Sequence, residues 1–195
     1  MSATSQDGRK IRENKKGKKD CVEAISSISG NVEMAKNIYL HKSGKHFAVE
    51  YMLNSDLFSE ETIISFLTTR DQNRRTGFIL ACIENHQEVV KVMLECPVSK
   101  KLILENSLDL NFVNFKDIIG KTGFMYACMP KKTKKDLIYL LLDHELFSDA
   151  DIFDFIMTKD NEGHDSIHLT NSSIIREKLQ DITAKYLKKQ EDQAE

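Results

Sequence analysis

Two segments of the sequence share one order of residues, and this repetition constrains the fold more than any other feature. Each segment carries Leu-Phe-Ser, then a Phe, then an Asp, at identical spacing. The first copy is Leu57-Phe58-Ser59, Phe66 and Asp71, and the second is Leu146-Phe147-Ser148, Phe155 and Asp160. Chains that repeat themselves at long period are usually stacks of similar helical units, whose function lies on the surface that the stack presents. The repetition therefore favours a binding surface over a catalytic pocket.

Composition indicates a soluble domain built from helices. The 195 residues are 41% hydrophobic and 30% charged, which is enough for one core of ordinary size. Eight Gly and two Pro are too few for a sandwich or barrel with many tight turns, so long helices with short connections are favoured. Four cysteines without a Cys-x-x-Cys pair predict reduced, mostly buried thiols. No apolar run approaches the roughly 20 residues that cross a bilayer, so we expect no membrane insertion.

Charge is distributed unevenly along the chain. Of the 28 Lys and Arg residues, seven lie in residues 1–19, against two of the 30 acidic residues. Residues 1–18 lack apolar periodicity, which predicts a disordered basic arm. We place a single helical domain at 19–190 and an acidic tail at 191–195. The first residues contain no apolar signal core, so we expect a cytoplasmic protein, with the nucleus as the alternative.

Both copies of the pattern open a helix in the same way. Ser59 can accept a hydrogen bond from a free amide of the first turn, and Glu60 and Glu61 suit the positive end of the helix. The matching residues in the second copy are Ser148, Asp149 and Asp151. Each helix then carries three apolar residues at i, i+3 and i+4, which predicts one stripe packed in the core. These residues are Ile63, Phe66 and Leu67, and Ile152, Phe155 and Ile156.

The residues that follow each helix form a more specific pattern. Asp71 to Thr76 precede Gly77 to Cys82, and Asn85-His86 then precedes Glu88 to Leu94. This order resembles an ankyrin repeat, in which an opening Asp and a Thr precede an Ala-containing helix, a turn and a second apolar helix. The best-matching copies span residues 71–95, 117–143 and 160–187. The resemblance implies an all-α fold, namely an ankyrin-like helical repeat solenoid with extra helices between repeats.

Several positions depart from the ankyrin pattern. The proline of the family is replaced by Gly77, Gly123 and Ser166, and Arg74 stands where glycine is expected. Asn85 occupies the turn glycine, and Asn tolerates the left-handed conformation better than other non-glycine residues. The interval between copies also exceeds the usual period of about 33 residues. We attribute the excess to inserted helices at Ser59, at Ser148 and over Ser99 to Glu105.

The resemblance also implies a function and a set of contact residues. Ankyrin stacks bind other proteins through their loop tips and the inner helix of each unit, so we expect a non-catalytic interaction module or scaffold. No catalytic motif, metal-binding spacing or nucleotide-binding loop occurs, so we expect no cofactor, no metal and no small-molecule substrate. Carried over by position, the partner-binding residues are Gln72, Asn73, Arg75, Ile83, Glu84, Ile118, Ile119, Lys121, Asn161, Glu162 and His164. His86 and His168 match structural histidines, and Asp165 can accept the proton of His168.

Within this set, Ile118 and Ile119 are the strongest candidates. Two β-branched apolar residues at a loop tip need either a partner or burial against the neighbouring Leu108 to Phe115 segment, and the sequence leaves both open. Two other functions also remain. One is a structural subunit that uses the inserted helices as its contact surface. The other is a nuclear or nucleic-acid-associated adaptor that uses the basic arm, although an acidic body makes nucleic acid the less favoured partner.

Overall fold

A computed structural model describes residues 46–56, 58–104, 111–129 and 135–194. The basic arm at 1–18 and the rest of the chain before residue 46 lie outside the described residues. The described residues form helices and contain no strand, which confirms the all-α prediction for this part of the chain. None of the helices searched is long and apolar enough to cross a membrane.

Ten helices are described. They are α1 (His46–Asn54), α2 (Glu60–Thr68), α3 (Gly77–Glu84), α4 (Gln87–Glu95), α5 (Pro97–Leu104), α6 (Gly123–Cys128), α7 (Lys135–Leu142), α8 (Asp149–Met157), α9 (Ser166–Leu169) and α10 (Ser173–Ala194). The last helix continues through most of the segment expected as an acidic tail at 191–195. The extra helix expected over Ser99 to Glu105 corresponds to α5.

The helices form two rows connected by hairpins. One row consists of α3, α6 and α9, each contacting the next, and the second consists of α1, α4 and α7. Three pairs of consecutive helices pack against each other as hairpins: α3 with α4, α6 with α7, and α9 with α10. The remaining helices lie around these rows, where α2 contacts α3 and α5, and α8 contacts α6, α9 and α10. The inserted helices therefore add contacts to the rows without interrupting them.

The N-termini of α2 and α8 are capped as the sequence predicts. Ser59 Oγ accepts a hydrogen bond from Thr62 N at 3.2 Å, and Ser148 Oγ accepts one from Asp151 N at 3.2 Å. Asp151 Oδ2 accepts in return from Ser148 N at 2.8 Å, which completes a reciprocal cap. The predicted stripes are buried in both helices: Ile63, Phe66 and Leu67 in α2, and Ile152, Phe155 and Ile156 in α8.

Small and apolar residues fill the core between neighbouring helices. Ala81 and Ala127, at equivalent places in α3 and α6, are 0% and 2% exposed, so the helix backbones can approach closely. Asn85 ends α3 in the left-handed conformation, with φ 60° and ψ 40°, as expected for the residue in the turn-glycine position. In α10, Ile175 and Leu179 are buried, and the ring of Tyr186 stacks on Phe153 at 4.6 Å between centroids.

Gly123 at the start of α6 is explained by its neighbour α3. A Cβ atom added at this position would lie 2.7 Å from Cε1 of Phe78 and 3.1 Å from Sγ of Cys82. Both residues are fully buried in α3, so neither can move far. The close approach of the two helices therefore requires a residue without a side chain at 123.

We expect Gly123→Ala to destabilise the fold by about 1–3 kcal/mol, because an added methyl group forces Phe78 off its position in a packed core. Urea unfolding followed by circular dichroism would measure the change. The double variant Gly123→Ala with Phe78→Leu should be less destabilised than the sum of the two single variants, since a smaller side chain relieves the clash. Additive losses would contradict this account of the contact.

Candidate functional site

Three turns with one geometry precede α3, α6 and α9, and they begin at Asp71, Asp117 and Asp160. In each turn, Oδ1 of the Asp accepts hydrogen bonds from the N–H groups two and four residues later. The two distances are 2.9 and 2.8 Å at Asp71, 3.0 and 2.8 Å at Asp117, and 2.9 and 2.9 Å at Asp160. The carboxylate thus satisfies amide groups that have no backbone partner in so tight a turn.

The fourth residue of each turn adopts the left-handed conformation. Its φ angle is 60° at Arg74, 81° at Gly120 and 83° at Gly163. Glycine suits this conformation because it has no Cβ to clash with the backbone, whereas arginine adopts it at a cost. The sixth residue of each turn then caps the next helix. Thr76 and Thr122 accept from backbone N–H groups at 3.3 Å, and Asp165 accepts from His168 N at 3.0 Å.

Hydrogen bonds tie the three turns side by side into a ladder. Ile118 N donates to Asn73 O at 2.9 Å, which joins the first turn to the second. Asn161 joins the second turn to the third twice: its backbone N donates to Ile119 O at 3.1 Å, and its Nδ2 donates to Ile118 O at 3.1 Å. The peptide groups of Ile118 and Ile119 are therefore bonded to both neighbouring turns, and their side chains are carried on a fixed backbone.

The second carboxylate oxygen of each Asp takes a different partner. Asp71 Oδ2 accepts from Arg75 Nε at 3.0 Å, and Asp117 Oδ2 accepts from the hydroxyl of Tyr126 at 2.7 Å. Asp160 Oδ2 accepts from Nζ of Lys121, which reaches across from the neighbouring turn. Each carboxylate is therefore used in full inside the ladder.

These contacts shift the pKa values of the groups involved. Burial opposes the charge of Asp160, but the hydrogen bonds from Lys121 and from two backbone N–H groups outweigh it and lower its pKa to about 2. At Asp71, burial would raise the pKa. The hydrogen bonds and charge of Arg75 and the hydrogen bond from the N–H of Asn73 outweigh burial, so the pKa lies below its usual value. Burial and the bond to Asp117 raise the pKa of Tyr126. At neutral pH, the side chains of Asp71 and Asp160 are therefore charged and that of Tyr126 is neutral.

The structure brings most of the predicted contact residues to this ladder. Exposed side chains belong to Gln72, Asn73, Ile118, Ile119, Asn161, Glu162 and His164 at the turns, and to Glu84 at the end of α3. Arg75 and Ile83 are half-buried. Lys121 differs from the others, because its side chain is 9% exposed and its ammonium group pairs with Asp160. Of the two outcomes left open for Ile118 and Ile119, these side chains are exposed, at 56% and 48%.

Sequence reasoning missed the groups that complete the ladder. Tyr126 and the partner of each second oxygen were not identified, although a basic residue stands fifth in every turn, at Arg75, Lys121 and His164. That recurrence could have indicated a structural role. The predicted bond between His168 and Asp165 is confirmed, with Nδ1 and Oδ1 2.7 Å apart. His86 differs from the expectation, because its buried Nε2 has no hydrogen-bond partner among the described residues.

Asp160, Glu162 and His164 lie close enough to suggest a cation site, with potential ligand atoms within 4.8 Å of one another. The carboxylate of Asp160 is already occupied, however. Its Oδ1 accepts from two backbone N–H groups, and its Oδ2 accepts from Lys121, whose ammonium is itself a cation. Because the only buried ligand of the three is used in this way, the geometry of this cluster does not support metal binding.

The arrangement can recognise another molecule through exposed side chains on a rigid backbone, whereas the carboxylates of Asp71, Asp117 and Asp160 are used within the turns. No family model matches the chain, and no curated protein matches it.

Gly120→Ala should destabilise the protein more than Gly163→Ala, although both residues have positive φ. An alanine at 163 meets no atom within 4 Å, so it should cost only the left-handed strain, about 1–2 kcal/mol. At 120 the added Cβ would lie 2.7 Å from the backbone N of Asn161, so the third turn must also shift. Thermal unfolding of the two variants gives the comparison. Equal losses would show that the turns are not in close contact.

Lys121→Met should destabilise the fold by about 3–5 kcal/mol at neutral pH, because it leaves the buried carboxylate of Asp160 without its cation. In the native protein, the folded pKa of about 2 lies below the usual 3.8, so this contribution is complete above pH 4 and is lost as the pH falls towards 2. The variant should therefore lose less stability over that range. Urea unfolding at several pH values tests this, and identical acid dependence in both proteins would refute it.

Proposed function

We propose that this chain is a non-catalytic protein-protein interaction module, built as an ankyrin-like solenoid with inserted helices. It binds a partner protein through the turn tips and the ends of the inner helices. Support for the solenoid comes from three turns with equivalent hydrogen bonds and from two rows of helices that pair in succession. The proposal includes no substrate or cofactor, and it includes a cytoplasmic location with the nucleus as the alternative.

The exposed pair Ile118 and Ile119 is the observation that carries this proposal. Large apolar side chains at a tip are unfavourable in water, and burying one fully is worth about 1.5–3 kcal/mol. Both residues are β-branched, so their side chains have few rotamers to lose when a partner orders them. Their peptide groups are already fixed by bonds to Asn73 and Asn161, so binding orders little backbone. Such a site is prepared for recognition at a low entropic cost.

The proposed surface extends from this pair to both neighbouring turns. Gln72 and Asn73 are exposed on one side of the pair, and Asn161, Glu162 and His164 are exposed on the other. Arg75, Ile83 and Glu84 lie next to the first turn and at the end of α3. We leave Lys121 out of the contact surface because its ammonium serves the ladder.

One observation favours the structural-subunit alternative. Leu104, at the end of the inserted helix α5, is 67% exposed, which is more than either tip isoleucine. If the inserted helices were the contact surface, Leu104→Asp would abolish partner capture and the tip variants would not. The two functions therefore predict opposite results from the same measurement.

Replacing both Ile118 and Ile119 with Asp should reduce partner capture at least tenfold, since two charges would replace the apolar contact. The measurement is quantitative affinity capture from the native cell, with the purified full chain as bait. Ile174→Asp provides a matched control, because Ile174 is also 56% exposed but lies in α10, away from the ladder.

Circular dichroism melting accompanies the capture, so that loss of binding is not confused with unfolding. The tip variants should melt within a few degrees of the native protein, since the affected side chains are exposed. A captured set that is unchanged by the tip variants, or that is equally reduced by Ile174→Asp, would contradict the proposed surface.

A further inference from the structure

The first turn of the ladder differs from the other two at its fourth position. Arg74 holds φ at 60°, where the equivalent residues are Gly120 and Gly163. A non-glycine residue in this conformation costs roughly 1–2 kcal/mol, and glycine would relieve it. Strain of this kind is retained where the side chain has a use. The guanidinium of Arg74 is therefore the first feature of this turn that requires an explanation.

A second exposed cation, Arg70, lies in the same segment, four residues before Arg74. The guanidinium of Arg70 stacks over the ring of Phe115, with 4.0 Å from Cζ to the ring centroid. Burial, and then the positive charge of Arg74, lower the pKa of Arg70, which indicates that the two cations repel one another. Both side chains are exposed, and neither has an ion-pair partner among the described residues. Exposed guanidinium groups bind carboxylates and other anionic groups well, because they remain charged and present several N–H donors.

This basic pair adjoins the exposed isoleucines. The bond from Ile118 N to Asn73 O places the second turn directly beside the turn that carries Arg74. At the opposite end of the ladder, Glu162 is 75% exposed. The exposed edge of the ladder therefore has Arg70 and Arg74 at its first turn and Ile118 and Ile119 at its centre. Its third turn carries the carboxylate of Glu162 together with the basic side chains of Lys159 and His164. A ligand that complements this order has a defined direction.

We propose that the partner protein presents an acidic segment with a neighbouring apolar side chain. Its carboxylate binds Arg70 and Arg74, and its apolar side chain packs on Ile118 and Ile119. This inference rests on the proposed function and adds to it the chemistry of the partner and the direction in which the segment lies.

The same cations could in principle bind a nucleic acid, but the surroundings favour a peptide. Isoleucine offers no flat surface for base stacking, and the ring of Phe115 is buried beneath Arg70. The exposed carboxylate of Glu162 would repel a continuous phosphate backbone, whereas a peptide can carry different charges at its two ends.

A library of random 12-residue peptides, displayed on phage and selected on the immobilised full chain, tests the proposal without a known partner. The selected pool should be enriched in Asp and Glu next to apolar residues. Selection on Arg74→Gly should lose the acidic enrichment and keep the apolar enrichment. Selection on the double variant Ile118→Ser with Ile119→Ser should lose the apolar enrichment and keep the acidic enrichment.

The most enriched peptide is then synthesised and its affinity measured by titration calorimetry. Arg74→Gly and Arg70→Gln should each weaken binding about fivefold, as expected for one exposed ion pair of about 1 kcal/mol. Arg74→Gly should melt at or above the temperature of the native chain, because glycine relieves the left-handed strain. Lys188→Gln, which removes an exposed cation in α10 outside the proposed surface, is the matched control and should bind equally well.

The outcomes separate this inference from the proposed function. A pool enriched only in apolar residues, or in Lys and Arg, overturns the acidic partner and leaves the interaction module standing. No enrichment over an empty surface overturns both. Arg74-dependent binding of a 20-nucleotide oligo-dT that is tighter than peptide binding assigns the site to nucleic acid and overturns the proposal. A marked loss of stability in Arg74→Gly assigns the arginine to the fold and also overturns it.

Discussion

The structure depends on aspartate carboxylates that replace missing backbone hydrogen-bond partners. Asp71, Asp117 and Asp160 each satisfy two N–H groups of a tight turn, and the last two are only 4% and 6% exposed. Leaving a buried donor unpaired costs about 1–3 kcal/mol, and this cost applies most directly to the N–H of Lys121, whose hydrogen bond to Asp117 is buried. Each turn then sets the direction in which the following helix, α3, α6 or α9, begins. Three such turns therefore fix the spacing of the row formed by α3, α6 and α9.

Neighbouring turns then stabilise one another, and this is what makes an exposed apolar tip tolerable. Asn161 bonds two consecutive carbonyl groups of the middle turn, and Lys121 reaches from that turn to the carboxylate of Asp160. The middle turn cannot rearrange without breaking contacts on both sides. Its isoleucines consequently cannot fold back into the core, and their apolar surface remains available to a partner. Rigidity and exposure arise from the same set of bonds.

The parts of the fold that follow from local chemistry could be predicted, and the parts that depend on distances between units could not. Ser59 and Ser148, with the stripes that follow them, are determined within one helix, so periodicity and capping sufficed. Arg75 and Lys121 occupy the same position in their turns, yet one pairs with its own Asp and the other with the next. That choice depends on the distance between neighbouring turns, which the sequence does not provide. The need for glycine at 123 likewise appears only when Phe78 is in place.

Position along the ladder also determines where the sequence can vary. Gly120 lies in the middle turn, where Asn161 leaves no room for a Cβ, so no side chain can replace it. Gly163 and Arg74 lie in the outer turns, where a side chain costs only backbone strain. A Cβ atom at 163 would meet no atom within 4 Å, and Arg74 already adopts the left-handed conformation with its side chain. The fourth position of an outer turn can therefore accept a side chain that contacts a partner. In the middle turn, only the residues before Gly120 can carry such a side chain. The arginine at the first turn and the glycine at the third are both compatible with this constraint.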